Sequence, residues 1–149
     1  MSMVDVPARV EDCSCFAIRR AARQAARLYD AHLQPTGLRI SQFLILAVLA
    51  EVKSADISAL SERLDTERTA TGKMVSVLVR DSLVQAEPAP NDARTRLVEL
   101  TQEGRRLFAR AVPLWQAAQC QMEAMNGKHR VTALRAELTG LAMRNAADA

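Results

Sequence analysis

The side chains able to hold a metal ion or act as soft nucleophiles are Cys13, Cys15 and Cys120, with His32 and His129. Cys13 and Cys15 form a C-x-C pair with no further Cys and no His beside it, whereas a structural zinc site needs four convergent ligands. No metal and no cofactor is expected. An odd number of cysteines, in a chain long enough to fold without staples, argues for thiols rather than a disulfide framework. A thiol reacts when its pKa is lowered, and the beginning of a helix can supply that; Cys15 stands where a helix is expected to begin. Gly-rich phosphate loops, G-x-S-x-G and H-E-x-x-H are all missing from the sequence, and one Cys with two distant histidines is too thin for a nucleophilic site. The chain is not expected to be an enzyme.

A second set of side chains suits nucleic acid. Arg68, Thr69, Thr71, Lys73 and Ser76 fall within one segment, and Arg94 and Arg96 within another. Guanidinium, ammonium and hydroxyl groups on one face of a helix can meet base edges or phosphates in the major groove. An Arg on a loop tip is favoured by the negative potential of a narrow minor groove. The plain alternative is a solvated helix face beside a surface ion pair. Net charge does not choose between them: the whole chain carries +3, but from Ile57 to Leu100 six basic side chains face seven acidic ones. Any binding must come from the placement of a few cations and from their doubling in a dimer.

The elements that would position these groups are mainly helical. Of the 149 residues, 49% are apolar and only 3% aromatic, so the core is mostly Ala, Leu, Val and Met, which favour helices. Residues 1–11 read as an N-terminal arm. Phe16, Ile18, Ala22, Ala25, Ala26, Tyr29 and Leu33 recur at helical spacing, with Arg19, Arg20, Arg23 and Arg27 between them, predicting a helix over 15–33. Pro35, Thr36 and Gly37 break it, and Ser41 is the expected cap of a helix over 42–52 that is apolar on nearly every side. Asp56 is the expected cap of a short helix carrying Ile57, Leu60 and Leu64. A longer helix follows Asp65 or Thr66, with Ala70, Met74, Val75, Leu78 and Val79 turned inward. Short helix, turn and longer helix make a helix-turn-helix.

Strands are expected over 83–87 and 96–100, joined by a polar loop rich in Pro, Asn and Asp, which is a protruding hairpin or wing. Thr101, Glu103 and Gly104 open a long helix containing Pro113, expected to bend or be compensated; Asn126-Gly127 ends it. A last helix from Lys128 presents Val131, Leu134, Leu138 and Leu141 as a seam. The outer helices carry more apolar surface than one lobe can cover, so a second copy is the expected cover. No apolar run approaches the roughly 18 to 20 residues of a membrane span, and Asp5, Glu11 and Asp12 are unlike a signal peptide, so a cytoplasmic location with no membrane partner is expected.

The stretch Asp92-Ala-Arg94-Thr-Arg96-Leu-Val98-Glu-Leu100-Thr101-Gln-Glu-Gly104 resembles the wing and exit motif D-x-R-x-x-x-V-x-L-T-x-x-G of the MarR family of bacterial regulators. Leu60 to Thr69 is similar to that family's junction before the recognition helix. Two positions depart from the pattern: Gly72 stands where a larger polar residue is usual, and Ser82 where a Gly normally closes the helix. The resemblance implies a single winged helix-turn-helix domain over 12–147. Within it, a DNA-binding lobe spans about 54–100, and dimerisation helices span about 12–33 and 101–147.

It further implies a homodimeric repressor on a pseudo-palindromic operator in double-stranded DNA, with Arg94 entering the minor groove and Asp92 bracing it. A small aromatic or phenolic effector would release it, with His32, Phe43 and Trp115 as candidate pocket residues. Two alternatives stay open. Cys15-Phe-Ala-Ile18 is similar to the start of the first helix in the organic-hydroperoxide-sensing branch, where tyrosines hold a reactive Cys and Tyr29 matches one of them. The other alternative is a helical protein-interaction module without DNA binding.

Overall fold

The computed structural model describes residues 8–141. Most of the expected arm, and residues 142–147 of the expected C-terminal dimerisation segment, therefore lie outside the described residues. A 3-10 turn at Val10–Asp12 leads into helix α1 (Ser14–Leu33). The Cys13 sulfur caps α1 by accepting the Phe16 N–H at 3.5 Å. A second 3-10 turn, Gln34–Thr36, is closed by Gly37 at φ 74°, a left-handed value that suits glycine.

Helix α2 (Ile40–Val52) starts two residues before the sequence suggests, so Ser41 lies inside the helix rather than capping it. The donors at its start are met by side chains: Asp30 of α1 accepts the Ile40 N–H at 2.7 Å, and Gln42 of α2 itself accepts the Arg39 N–H at 2.9 Å. Phe43, Ile45, Leu46, Val48 and Leu49 are buried, as expected of a helix at the centre of the core.

Strand β1 (Ser54–Ala55) follows at once. Helix α3 (Ile57–Leu64) is capped by the Asp56 carboxylate on the Ala59 N–H at 2.8 Å. Asp65 adopts left-handed geometry at φ 51° and turns the chain into α4 (Arg68–Arg80). Ser82, at φ 62°, turns it again into β2 (Val84–Ala89). The position where a glycine is usual is thus filled by a serine in glycine's conformation.

Strands β2 and β3 (Asp92–Leu100) pair antiparallel from Val84↔Leu100 to Ala89↔Asp92, with an irregularity after Pro88. The hairpin is longer and its tip tighter than the expected eight-residue loop, because pairing continues outward through Pro88↔Arg96. β1 pairs with the other edge of β3, Ser54↔Glu99 and Ala55↔Val98, giving the sheet order β1-β3-β2. The sequence reading has no counterpart for β1.

Helix α5 (Gln102–Asn126) is a single 25-residue element that continues through Pro113. Pro113 is exposed, so the carbonyl that loses its helical partner there can be met by water. Gly127, at φ 89°, separates α5 from α6 (Lys128–Gly140). Leu46, Leu49, Leu60, Leu78, Val84 and Val98 form the centre of the lobe's core, which extends through Phe43 and Leu33 to Ala111 of α5. No residue of α6 is buried, and Leu134, Leu138 and Leu141 are about half exposed, at 52%, 47% and 52%.

Candidate nucleic-acid interface

The face that α4 turns to solvent follows from the one it buries. Thr71, Val75 and Leu78 are the buried residues of α4, and Arg68, Thr69, Lys73, Ser76 and Arg80 are exposed. The expected phase of the helix is kept at its centre, where Val75 and Leu78 are buried and Met74 packs partly buried against the core, and is corrected at its edges. Ala70 and Val79, taken as inward, are exposed; Thr71, taken as a DNA contact, is 0% exposed. The physical reason is local: the Thr71 hydroxyl lies 2.7 Å from that of Thr66 and donates to the Glu67 carbonyl at 3.0 Å, so this polar group is satisfied inside the turn. Thr71 therefore shapes the helix start and is not available to a base. Ser76 donates to the Gly72 carbonyl at 2.9 Å, leaving its lone pairs toward solvent.

The wing tip is organised by Asp92, whose carboxylate accepts the backbone N–H of Arg94 at 3.0 Å and the Thr95 hydroxyl at 3.2 Å. These bonds hold the backbone that carries Arg94. The neighbouring cation behaves differently. Arg96 donates from its guanidinium to the Ala86 carbonyl across the hairpin at 2.9 Å, so part of its donor capacity is spent on the wing itself.

Arg68, at the start of α4, comes together with Arg94, Thr95 and Arg96 of β3 around a cleft of about 300 Å³, closed by Asp56, Ile57 and Ser58 at the start of α3. Three guanidinium groups against one carboxylate make this cleft suited to phosphate oxygens, which Arg can meet in a forked geometry. Sequence reasoning named the three arginines but not Ser58. Its only signal was the position just inside a helix N-terminus, where N–H groups favour anions.

Of the other candidates, only Phe43 and Trp115 are brought together. Cys13, Cys15 and Cys120 are all exposed. Tyr29 lies on the same helix as Cys15, fourteen residues on, which is about 21 Å along the axis. Within one chain Tyr29 cannot hold Cys15. Phe43 is 4% exposed and packs against Phe108 and Trp115, with ring centroids 5.3 and 5.8 Å away, so it belongs to the core. His32 bonds to Gln121 of α5 and lines a shallow depression with Leu28, Ala31 and Met125. Trp115 also lines a separate open depression of about 330 Å³ with Tyr29, Ile40, Leu44 and Gln119. The expected common pocket of His32, Phe43 and Trp115 is therefore corrected: Phe43 and Trp115 stack on one another at the core, and His32 lies apart from them.

Burial pushes the Tyr29 hydroxyl above its ordinary pKa of 10.0; Arg135 opposes this and Glu123 adds to it. Among the described residues no three His, Cys, Asp or Glu side chains converge as a metal site would require. No single helix among them is long and apolar enough to cross a membrane.

A family model described as MarR family matches residues 36–95. The chain is similar to the M. tuberculosis transcriptional regulator MosR in its complex with DNA, at 38% identity and a TM-score of 0.77, over 90% of this chain and 100% of that one. It is 29% identical to the homoprotocatechuate degradative operon repressor of Escherichia coli over 115 residues, 77% of this chain and 78% of the repressor. It is also 24% identical over 93 residues to an uncharacterized HTH-type transcriptional regulator of Bacillus subtilis, covering 62% of this chain and 60% of that protein's length.

Proposed function

The chain belongs to the MarR family, and from that premise we propose a homodimeric repressor that binds a pseudo-palindromic operator and is released by a small aromatic or phenolic effector. It is a DNA-binding transcriptional regulator, not an enzyme. The observation that carries the DNA reading is the convergence of Arg68, Arg94 and Arg96 on one cleft between the recognition helix and the wing. Exposed Thr69, Lys73 and Ser76 supply the groups facing the major groove, and Arg94 reaches the minor groove. We assign residues 54–100 to DNA contact, and 12–33 with 101–147 to dimerisation.

Dimerisation is supported by apolar surface that one chain leaves open. Met125 is 66% exposed and Leu134, Leu138 and Leu141 about half, all on α5, α6 or the residue that follows. The open depression at Tyr29 and Trp115, on α1, α2 and α5, is the place we assign to the effector. The E. coli relative is named for a homoprotocatechuate degradative operon, which favours a phenolic compound here. A regulator of this family acts where the chromosome is, which supports assigning the protein to the cytoplasm. Membership of the family sets aside the protein-interaction module as the leading alternative.

A second reading is favoured by the exposed thiols at the start of α1, where Cys13 accepts a helix N–H and Cys15 sits in the first turn. The Cys15 thiolate would attack the terminal oxygen of an organic hydroperoxide. An S–O bond forms, the O–O bond breaks, sulfur is oxidised to the sulfenic acid, and the peroxide leaves as an alcohol after taking up a proton. Cys15→Ser would then bind DNA but no longer respond to peroxide; a wild-type response in that variant excludes the reading.

The deciding experiment measures binding of the protein to its own upstream intergenic DNA at fixed salt with unrelated competitor DNA, for wild type and Arg94→Ala. Specific binding that is lost in the variant supports the regulator; no specific binding by wild type overturns it and returns the interaction module to first place.

A further inference from the structure

Two hydroxyl groups line the cleft between the recognition helix and the wing, those of Ser58 and Thr95. Thr95 is half-buried and donates to Asp92 at 3.2 Å, so it is committed to the wing tip. Ser58 is exposed, in the first turn of α3. Ser61, one turn on, is by contrast buried, with its hydroxyl spent on the Ile57 carbonyl at 2.6 Å. Ser58 is therefore the accessible hydroxyl of the cleft.

The charge that faces it is unbalanced. Arg68, Arg94 and Arg96 come from α4 and β3, and Asp56 is the one carboxylate among the lining residues. Among the described residues the ion pairs are Arg9–Glu11, Arg63–Glu51 and Arg80–Asp81, so none of the three guanidinium groups is matched within the chain. Asp56 is occupied as the cap of α3, accepting the Ala59 N–H at 2.8 Å. The cleft thus holds an excess of two positive charges, and a phosphoryl group on serine carries about −1.5 to −2 at pH 7. Bonded to Ser58, such a group would cancel the excess, offer oxygens to forked Arg donors, and lie in the first turn of a helix, where negative charge is favoured.

We propose that Ser58 is a phosphorylation site, and that its phosphate occupies the arginines that otherwise grip the DNA backbone. In the transfer, Ser58 Oγ attacks the γ-phosphorus of a nucleoside triphosphate bound to a protein kinase. The Oγ–P bond forms, the bond from that phosphorus to the β–γ bridging oxygen breaks, the nucleoside diphosphate leaves, and the hydroxyl proton passes to the kinase's base. A phosphate tethered to α3 then competes with a phosphate of the duplex from within the chain, at high effective concentration. The switch half of this proposal rests on the DNA-binding reading above; the phosphate site does not.

Labelling tests the site first. Purified protein is incubated with γ-labelled ATP and an extract of its own host, then repurified. Label should enter wild type and not Ser58→Ala; no labelling, or equal labelling of the variant, overturns the modification site.

Protein carrying phosphate on Ser58, made by genetic encoding of phosphoserine, tests the clamp and the switch. Phosphorus NMR over pH should show the second ionisation lowered from its ordinary value of about 6, because three guanidinium groups outweigh Asp56. The shift should shrink in Arg68→Gln/Arg94→Gln. Both arginines are exposed; if the double variant does not fold, Arg94→Gln alone serves. An unshifted ionisation, or a shift unchanged in the variant, overturns the clamp. By anisotropy of labelled operator at fixed salt, the phosphorylated protein should bind more weakly than the unmodified one by about tenfold or more. Equal affinity overturns the switch. Unmodified protein that binds no operator refutes the regulator reading, while labelling and phosphorus NMR still decide the site.

Discussion

Gly104, in the first turn of α5, and Leu83, between α4 and β2, meet backbone to backbone: a Cβ on Gly104 would fall 1.9 Å from the Leu83 carbonyl oxygen. The same junction is tied by Thr101, whose N–H donates to that carbonyl at 3.1 Å. Its hydroxyl donates to the Ser82 carbonyl at 2.6 Å and accepts the Gly104 N–H at 2.9 Å. The L-T-x-x-G end of the wing motif is thus the joint at which the wing is mounted on the long helix.

Gly104→Ala should therefore cost about 3 kcal/mol or more, since backbone rather than a flexible side chain must move. Thr101→Val, which removes the cap but keeps the volume, should cost about 1 to 2 kcal/mol. Urea denaturation of both variants measures this, and an unperturbed Gly104→Ala would contradict the close approach.

Two substitutions should raise stability for opposite reasons. Lys53→Gly relieves a left-handed backbone and should gain about 1 kcal/mol net of the added chain entropy. Gly72→Ala, where a Cβ meets nothing within 4 Å, should gain about 1 kcal/mol of helix propensity. Thermal melting reads both, and a lower Tm for either would count against that residue's backbone assignment.

Arg94 and Arg96 should separate in their effects. Arg96→Ala loses the bond to Ala86 and should loosen the hairpin by about 1 kcal/mol. Arg94→Ala should leave stability within about 0.5 kcal/mol. It should weaken operator binding and reduce the salt dependence by about one phosphate contact per half-site. Melting and binding at several salt concentrations, done in parallel, check the separation.

The raised pKa of Tyr29 fixes the sign of one pH effect. In the unfolded chain the phenol ionises at its ordinary value, while burial in the fold holds the proton on to higher pH. The neutral group's contribution is therefore fully present below pH 10.0 and is lost as pH rises through the folded value. The chain has one tyrosine, so phenolate absorbance during alkaline titration reports this group alone. Tyr29→Phe should flatten the alkaline loss of stability, and ionisation at or below the ordinary value would refute the burial effect.

What the sequence determined by itself is what short-range chemistry encodes. Apolar spacing marks α1 to α6, Asp56 marks a cap, Gly127 marks a break, and the run from Asp92 to Gly104 carries turn, strand and cap in one local stretch. What needed the tertiary structure depends on partners distant in the chain. β1 is two residues long and exists only because β3 offers an edge to Ser54 and Ala55. Helix α2 starts at Ile40 because Asp30, on another helix, accepts its N–H. The choice between Ala70 and Thr71 as the inward residue of α4 turned on whether a hydroxyl could be satisfied inside, which Thr66 and Glu67 decide. Ala70 and Thr71 lie about 100° apart around the helix, so periodicity, which placed Val75 and Leu78 inward, left the edge of the buried stripe open. Likewise His32, Phe43 and Trp115 look like pocket residues by type. Only the packing of α1, α2 and α5 stacks Phe43 on Trp115 at the core and sets His32 apart in a depression.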